Sequence, residues 1–342
     1  MGILTPEAID FDAYFDEQQA DTARVRPAST LADAVVERFH GSGAAHHWQP
    51  LGWAKTVGAF DLRPGELTLW TGVNGHGKTT FLSHVMLNVM RSAETVGAGP
   101  AAGAAPAGRM AGTVCLASLE MPPAASMAKM TRQAGGTAQP GEAYIRAFHR
   151  WTEGRLWIYD HVGRIAPRRM LAIAAYVRRE LGVQHLVVDS LMKCGLGSDD
   201  YNGQKDFVDG LCAIARDTGL HVHLVCHMRK GEAESKPPDK FDIKGAGEIA
   251  DLADNIAIVW KNVRKTARAP HEQDPTMPDA FVRIAKQRHH EWEGSWAFHF
   301  DKGSQQFLEH HRERPAYIDL PPGTAAAGTS HHHHQQRGTT AC

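Results

Sequence analysis

Residues 65–80 read GELTLWTGVNGHGKTT. Leu67, Leu69 and Trp70 make a short apolar run that ends at Gly72, and four residues later the chain continues Gly77, Lys78, Thr79. This is the phosphate-binding pattern GxxxxGK[ST]. Glycines at 72, 75 and 77 let backbone N–H groups turn inward around a polyphosphate, Lys78 reaches the β and γ phosphates, and the Thr79 hydroxyl is a ligand for Mg²⁺. Asn74, His76 and Thr80 complete the nucleotide-binding loop. Phe81, Val85 and Val89 then recur at helical spacing, as do Leu82, Met86 and Met90, so the phosphates would sit on a helix N-terminus. Strand, glycine-rich loop and helix in this order predict an α/β fold that takes ATP or another nucleoside triphosphate with Mg²⁺.

Outward from this loop, the pattern alternates strand and helix. Strands are expected near 66–71, 113–119, 155–159, 185–189, 221–227, 255–260, 280–287, 295–300 and 304–308, with helices near 78–92, 122–135, 168–181, 203–218 and 247–253. The early strands are continuous apolar runs such as TVCLASL and HLVVD, as in a mostly parallel central sheet covered on both faces. The later ones, with no helix between 280 and 310, are expected as antiparallel hairpins at one edge. Residues 1–60 read as an N-terminal arm with a linker helix at about 29–41, opened by a capping box of Thr30 and Asp33 and carrying Leu31, Ala34, Val35 and Phe39 on one face. Residues 61–311 form the main domain. The Ala/Gly/Pro-rich stretch within 93–112 is expected as a flexible insertion, and 312–342, with its HHHH tract, as a disordered tail rather than a metal site.

A chain of 342 residues, 42% hydrophobic and 22% charged, is long enough to bury an α/β core. Its net charge of −1 means that any nucleic-acid contact must come from a local basic surface. The 5 cysteines are odd in number and widely spaced, which fits a reduced cytoplasmic protein better than a disulfide scaffold or zinc module. No secretory signal or long apolar run is present, so no membrane partner is expected.

Further residues carry the chemistry. Asp189 ends the strand HLVVD, the position of the Mg²⁺-proximal carboxylate, a second metal ligand beside Thr79. Ser190 follows it, so the catalytic base must come from elsewhere. Glu120, at the end of TVCLASL, is the candidate, and it would also cap the next helix. His227 ends HVHLVCH at the same edge, where it could sense the γ-phosphate. His221, His223 and His227 alternate, as any strand row does, and lack the partners of a metal site. In the polar segment that follows, Arg229 and Lys230 come first, and Lys244, Gly245, Ala246 and Gly247 open a helix. Exposed N–H groups beside a lysine make a cradle for DNA phosphates, although a loop with a helix cap has the same pattern. Lys286 and Arg288 share one face at a hairpin tip. They are either a solvated tip or a finger that reaches a neighbouring subunit's γ-phosphate.

Assembled, these segments resemble the helicase domain of the DnaB-type replicative helicases, nearest the phage and mitochondrial primase-helicase branch. GELTLWTGVNGHGKTTFLS, SLEMPPAASMAKMTRQ, HLVVDS, HLVCHMRK, IKGAGEIADLADNI and KQR occur in the family's order across about 60–310. The resemblance implies a RecA-like P-loop NTPase core that forms a hexameric ring and translocates on single-stranded DNA. It implies Glu120 as catalytic base, His227 as γ-phosphate sensor, Lys244–Gly247 within the central DNA loop, and Lys286 and Arg288 as the trans-acting finger. It also puts Lys261 and Phe300 beside the nucleotide base. The expected function is an ATP-dependent DNA helicase or translocase of phage-type replication, working with a primase or a loader. A RecA/RadA-like recombination ATPase and a nucleotide-switch helicase loader are the alternatives. The first 60 residues leave room only for the linker helix, which docks on the adjacent subunit in the family, so primase activity is not expected.

Overall fold

The computed structural model describes residues 2–4, 27–33, 35–36, 49–97, 112–197, 199–228 and 247–320. In chain order the strands are β1 (Gly2–Leu4), β2 (Gln49–Pro50), β3 (Asp61–Leu62), β4 (Leu67–Thr71), β5 (Val114–Ser118), β6 (Leu156–Tyr159), β7 (His185–Asp189), β8 (His221–Val225), β9 (Asn255–Lys261), β10 (Ala280–Gln287), β11 (Gly294–Asp301) and β12 (Gln306–Leu308). The helices are α1 (Lys78–Gly97), α2 (Pro123–Gly135), α3 (Glu142–Trp151), α4 (Pro167–Arg179), α5 (Tyr201–Thr218), α6 (Gly247–Leu252) and α7 (Val263–Thr266). Every strand expected from the sequence is present.

A 10-stranded sheet runs in the order β1-β6-β5-β7-β8-β4-β9-β10-β11-β12. From β1 to β9 all neighbours are parallel, whereas β10, β11 and β12 join antiparallel. The parallel strands are buried on both faces, which is why β4, β7 and β8 read as unbroken apolar runs. Alternation along β4 sends Leu67 and Leu69 into one apolar layer and Trp70 into the other. The first layer holds Met170, Ile173, Phe207, Leu211 and Ile249 from α4, α5 and α6. The second holds Phe81, Val85, Met130 and Phe148 from α1, α2 and α3. Each of these side chains contributes about 1.5–3 kcal/mol on burial.

Several local expectations change. α3 was not expected, yet Tyr144, Phe148 and Trp151 recur at helical spacing, and the last two are buried. A helix of this length is a marginal signal without the sheet to pack on. α1 runs to Gly97, into the segment expected as an insertion; residues 98–111 lie outside the described ones. Near the N-terminus a 3₁₀ turn, Ala28–Leu31, replaces the expected capping box: the Thr30 hydroxyl donates back to Pro27 O at 2.8 Å, and no side chain caps the turn. Leu31, Val35 and Val36 are exposed there.

Packing runs past both expected domain boundaries. Before residue 61, Leu51, Trp53 and Phe60 are buried, and Trp53 stacks on Phe81 at 4.9 Å while its indole N–H donates to Phe307 O at 2.8 Å. After residue 311, Ile318 is buried and its N–H donates to Ala134 O at 2.8 Å. Among the described residues, no helix is long and apolar enough to cross a membrane.

Candidate active site

The phosphate loop leaves β4 and enters α1, and its glycines answer two separate demands. Gly72 has φ +146°, and a Cβ there would lie 2.2 Å from Val259 O, so the loop can pass β9 only without a side chain. Gly77, at φ +91°, turns the chain into α1. The Lys78 ammonium lies across the loop and donates to Gly72 O at 2.8 Å and Val73 O at 3.1 Å. Burial lowers its pKa, against the opposing charges of Asp189 and Glu120.

Parallel β5, β7 and β8 deliver their C-terminal residues to the same edge as the loop, because register pairs Ser118 with Asp189 and Asp189 with Val225. Lys78, Thr79, Glu120, Asp189 and His227 therefore line one cleft of about 1060 Å³, with Asn74, Gly75, Gly77 and Thr80. The Thr79 hydroxyl donates to Asp189 Oδ2 at 2.7 Å. Burial raises the Asp189 pKa, only partly offset by that hydrogen bond. Two hard oxygen donors at this spacing beside the loop fit Mg²⁺, whose charge would favour the ionised Asp189.

Ser190 holds the Glu120 carboxylate. Its hydroxyl donates to Glu120 Oε1 at 2.7 Å. His227 Nε2 lies 3.5 Å from the same oxygen and 3.4 Å from Ser190 Oγ. The single serine proton goes to the carboxylate, so Nε2 must carry a proton to meet either oxygen. Burial alone would raise the Glu120 pKa, but the Ser190 hydrogen bond and His227 outweigh it, and the net shift is downward. Glu120 is thus an ionised carboxylate held in place near neutral pH. The sequence offered only the absence of a carboxylate after Asp189. That the serine would reach Glu120, 70 residues away, follows from β5 and β7 being neighbours. The cleft also takes in three cations that the sequence did not single out, Lys129, Arg164 and Lys193.

A second pocket of about 410 Å³ adjoins the first through Gly75, Gly77 and Thr80 and brings Lys261 and Phe300 together. His76 is buried at its wall, where its Nδ1 accepts the Lys261 N–H at 3.3 Å.

Lys286 and Arg288 do not line the cleft. Lys286 Nζ donates to Ala250 O and Asp251 O, each at 2.8 Å, and Arg288 donates to Asp251 O and Leu252 O at 3.2 and 3.1 Å. Both cations sit on the C-terminal carbonyls of α6, the favourable end of its dipole. Arg288 Nε also pairs with Asp254 at 3.1 Å. Gly247 is exposed as the first residue of α6. Arg229, Lys230, Lys244, Gly245 and Ala246 lie outside the described residues. His221 and His223 are not at the cleft: with His185 they are fully buried, His223 accepting the Trp70 indole N–H at 3.0 Å and facing His185 at 3.1 Å.

A glycine loop between strand and helix, a Thr–Asp pair beside it and a held glutamate define a nucleoside-triphosphate site at the edge of a mostly parallel α/β sheet. The AAA domain family model matches residues 55–233, more than half of the chain, and the chain belongs to that family. It is also similar to a DNA helicase/primase of Enterobacteria phage T3, 25% identical over 312 residues, a match covering 85% of this chain and 47% of that protein. The chain thus spans about half the length of this curated relative. Among solved structures, an isolated ATPase domain superimposes with a TM-score of 0.66 at 16% identity, covering 83% of this chain and 99% of the other. A DnaB-like replicative helicase, solved in a study of its interactions with primase, gives 0.66 at 16%, covering 84% and 69%. At these identities the likeness is one of fold.

Proposed function

We propose that this protein is an NTP-driven, ring-forming translocase on single-stranded DNA, a replicative helicase motor of the phage type. The observation that carries the reading is the meeting of Lys78, Thr79, Asp189 and the Glu120–Ser190–His227 cluster in one cleft that opens onto the Lys261–Phe300 pocket. The triphosphate lies along the loop with its base in that pocket. Thr79 and Asp189 would hold Mg²⁺, which would supply positive charge against the polyphosphate. Glu120, ionised and fixed by Ser190, orients a water toward the γ-phosphorus and takes up its proton. His227, touching the same carboxylate, reports the state of the γ-phosphate to the segment that follows β8.

Lys286 and Arg288 lie outside their own chain's cleft, where they are placed to meet a neighbouring subunit. Beside their hold on α6, these cations would complete a neighbour's site, and the exposed Leu31, Val35 and Val36 supply apolar surface for a subunit contact. Because Lys286 and Arg288 hold the end of α6, whose first residue belongs to the proposed DNA loop, movement of that loop on DNA would shift the finger. The likeness to the T3 helicase/primase supports DNA as the track.

Strand displacement on forked DNA with a 5′ or a 3′ tail, in ATP and in other nucleotides, tests the proposal beside a Lys78→Ala control. Unwinding from one tail polarity that is lost in the control is expected. Nucleotide binding without unwinding and without stimulation by single-stranded DNA would refute it and favour a nucleotide-switch loader.

A further inference from the structure

Lys129 lies on α2, which begins three residues after Glu120, and lines the phosphate cleft with Lys78, Thr79, Glu120 and Asp189. The same side chain borders a small cavity of about 30 Å³ whose lining includes Thr79 and Asp189. The ammonium is half-buried, and its only hydrogen-bond acceptor among the described residues is the weak one of Met121 Sδ, at 3.7 Å. With one weak thioether partner, the ammonium at the cleft wall keeps N–H donors available to an anion that enters the cleft. Beside it the Ser118 hydroxyl, which lines the same cavity, is buried without a partner. Asp189 is the carboxylate whose charge acts on Lys129, and Mg²⁺ held by Thr79 and Asp189 would take that carboxylate over.

We propose that Lys129 is a second cation acting in cis on the terminal phosphate, through which the site tells a nucleoside triphosphate from a diphosphate. The inference rests on the nucleotide-site reading above. Position argues for the terminal phosphate: Lys129 lies among the residues of the water-activating end, Glu120 and Asp189, and is absent from the Lys261–Phe300 pocket at the base end. Lys129 thus complements Lys78, whose ammonium is tied to the loop's own carbonyls.

Equilibrium titration of the whole chain with fluorescent ADP and a fluorescent β,γ-imido analogue of ATP, each with and without Mg²⁺, tests this in wild type, Lys129→Met and Lys129→Arg. A charge-assisted contact made only to the γ-phosphate predicts that Lys129→Met lowers the preference for triphosphate over diphosphate by about 10-fold or more, with ADP affinity nearly unchanged. Lys129→Arg should restore most of the preference. The methionine keeps the apolar stem and removes a cation with one weak partner, so its thermal midpoint should not fall. Three results would overturn the assignment: an unchanged preference in Lys129→Met, an equal loss of both nucleotides, or an arginine variant no better than the methionine. Wild-type protein that bound neither nucleotide would instead remove the nucleotide-site reading itself.

Discussion

Acidification from about pH 7.5 to about pH 5.5 should destabilise this domain by at least about 1 kcal/mol, through histidines that the fold holds neutral. His84 and His221 are both buried; desolvation, with the Arg91 charge added for His84, lowers their pKa to about 3 and about 4. The sign follows from proton counts. A folded pKa below the unfolded value of 6.5 means that the unfolded chain binds more protons, so stability is intact above 6.5 and is lost as pH falls toward the folded values. One unit below the unfolded value, each such imidazole costs about 1.4 kcal/mol. His185 and His223, held well below 6.5 chiefly by burial, act in the same direction. Glu66 opposes them. Burial raises it from 4.5 to about 7, so the folded state takes up its proton over this interval, which returns about 2 kcal/mol. Urea unfolding followed by tryptophan fluorescence at several pH values measures the net effect. Trp70, hydrogen-bonded to His223, lies beside the histidine cluster. In His84→Gln, whose side-chain oxygen still accepts the Phe307 N–H, the pH dependence should shrink by about 1.4 kcal/mol. Stability that stays flat or rises on acidification, or a pH dependence untouched by His84→Gln, would refute the argument.

Other outcomes follow from the cleft and its supports. Ser190→Ala removes the hydrogen bond that holds and acidifies Glu120, so turnover should fall about 10-fold and the acid limb of the rate profile should move toward neutral pH, with nucleotide affinity retained. An acid limb that stayed in place would show that Ser190 does not control the base. Arg288→Ala should abolish DNA-stimulated hydrolysis while leaving nucleotide binding largely intact, and unchanged turnover would remove the trans-finger role. Trp53→Ala, which empties the stack on Phe81, should lower unfolding stability by about 3–5 kcal/mol, as read from the urea midpoint. A negligible loss would return residues before 61 to the status of an arm.

The α/β class, the parallel strands and the antiparallel edge were legible because they rest on local pattern: apolar runs of strand length, helical spacing after Lys78, and short connections late in the chain. Thr79, Asp189, Glu120 and His227 were legible for a related reason. In a parallel sheet, polar residues at strand C-termini must share one edge, whatever the strand order. α3 has visible helical spacing but is too short for that signal to stand alone, and the packing of Trp53 and Ile318 leaves no periodic trace because each lies outside the regular helices and strands.

By itself, then, the amino-acid order determined the loop, the strand-to-helix alternation and the identities of the residues at the catalytic edge, all consequences of steric and polar preferences acting over a few positions. Only the tertiary structure decided that Ser190 holds Glu120, that Lys286 and Arg288 rest on α6 instead of in their own cleft, and that Lys129 stands nearly unpartnered beside Asp189. Those relations depend on which strands are neighbours and on which face a side chain leaves its helix. Strand order is chosen by burial of the whole sheet, a cooperative property that no local segment encodes.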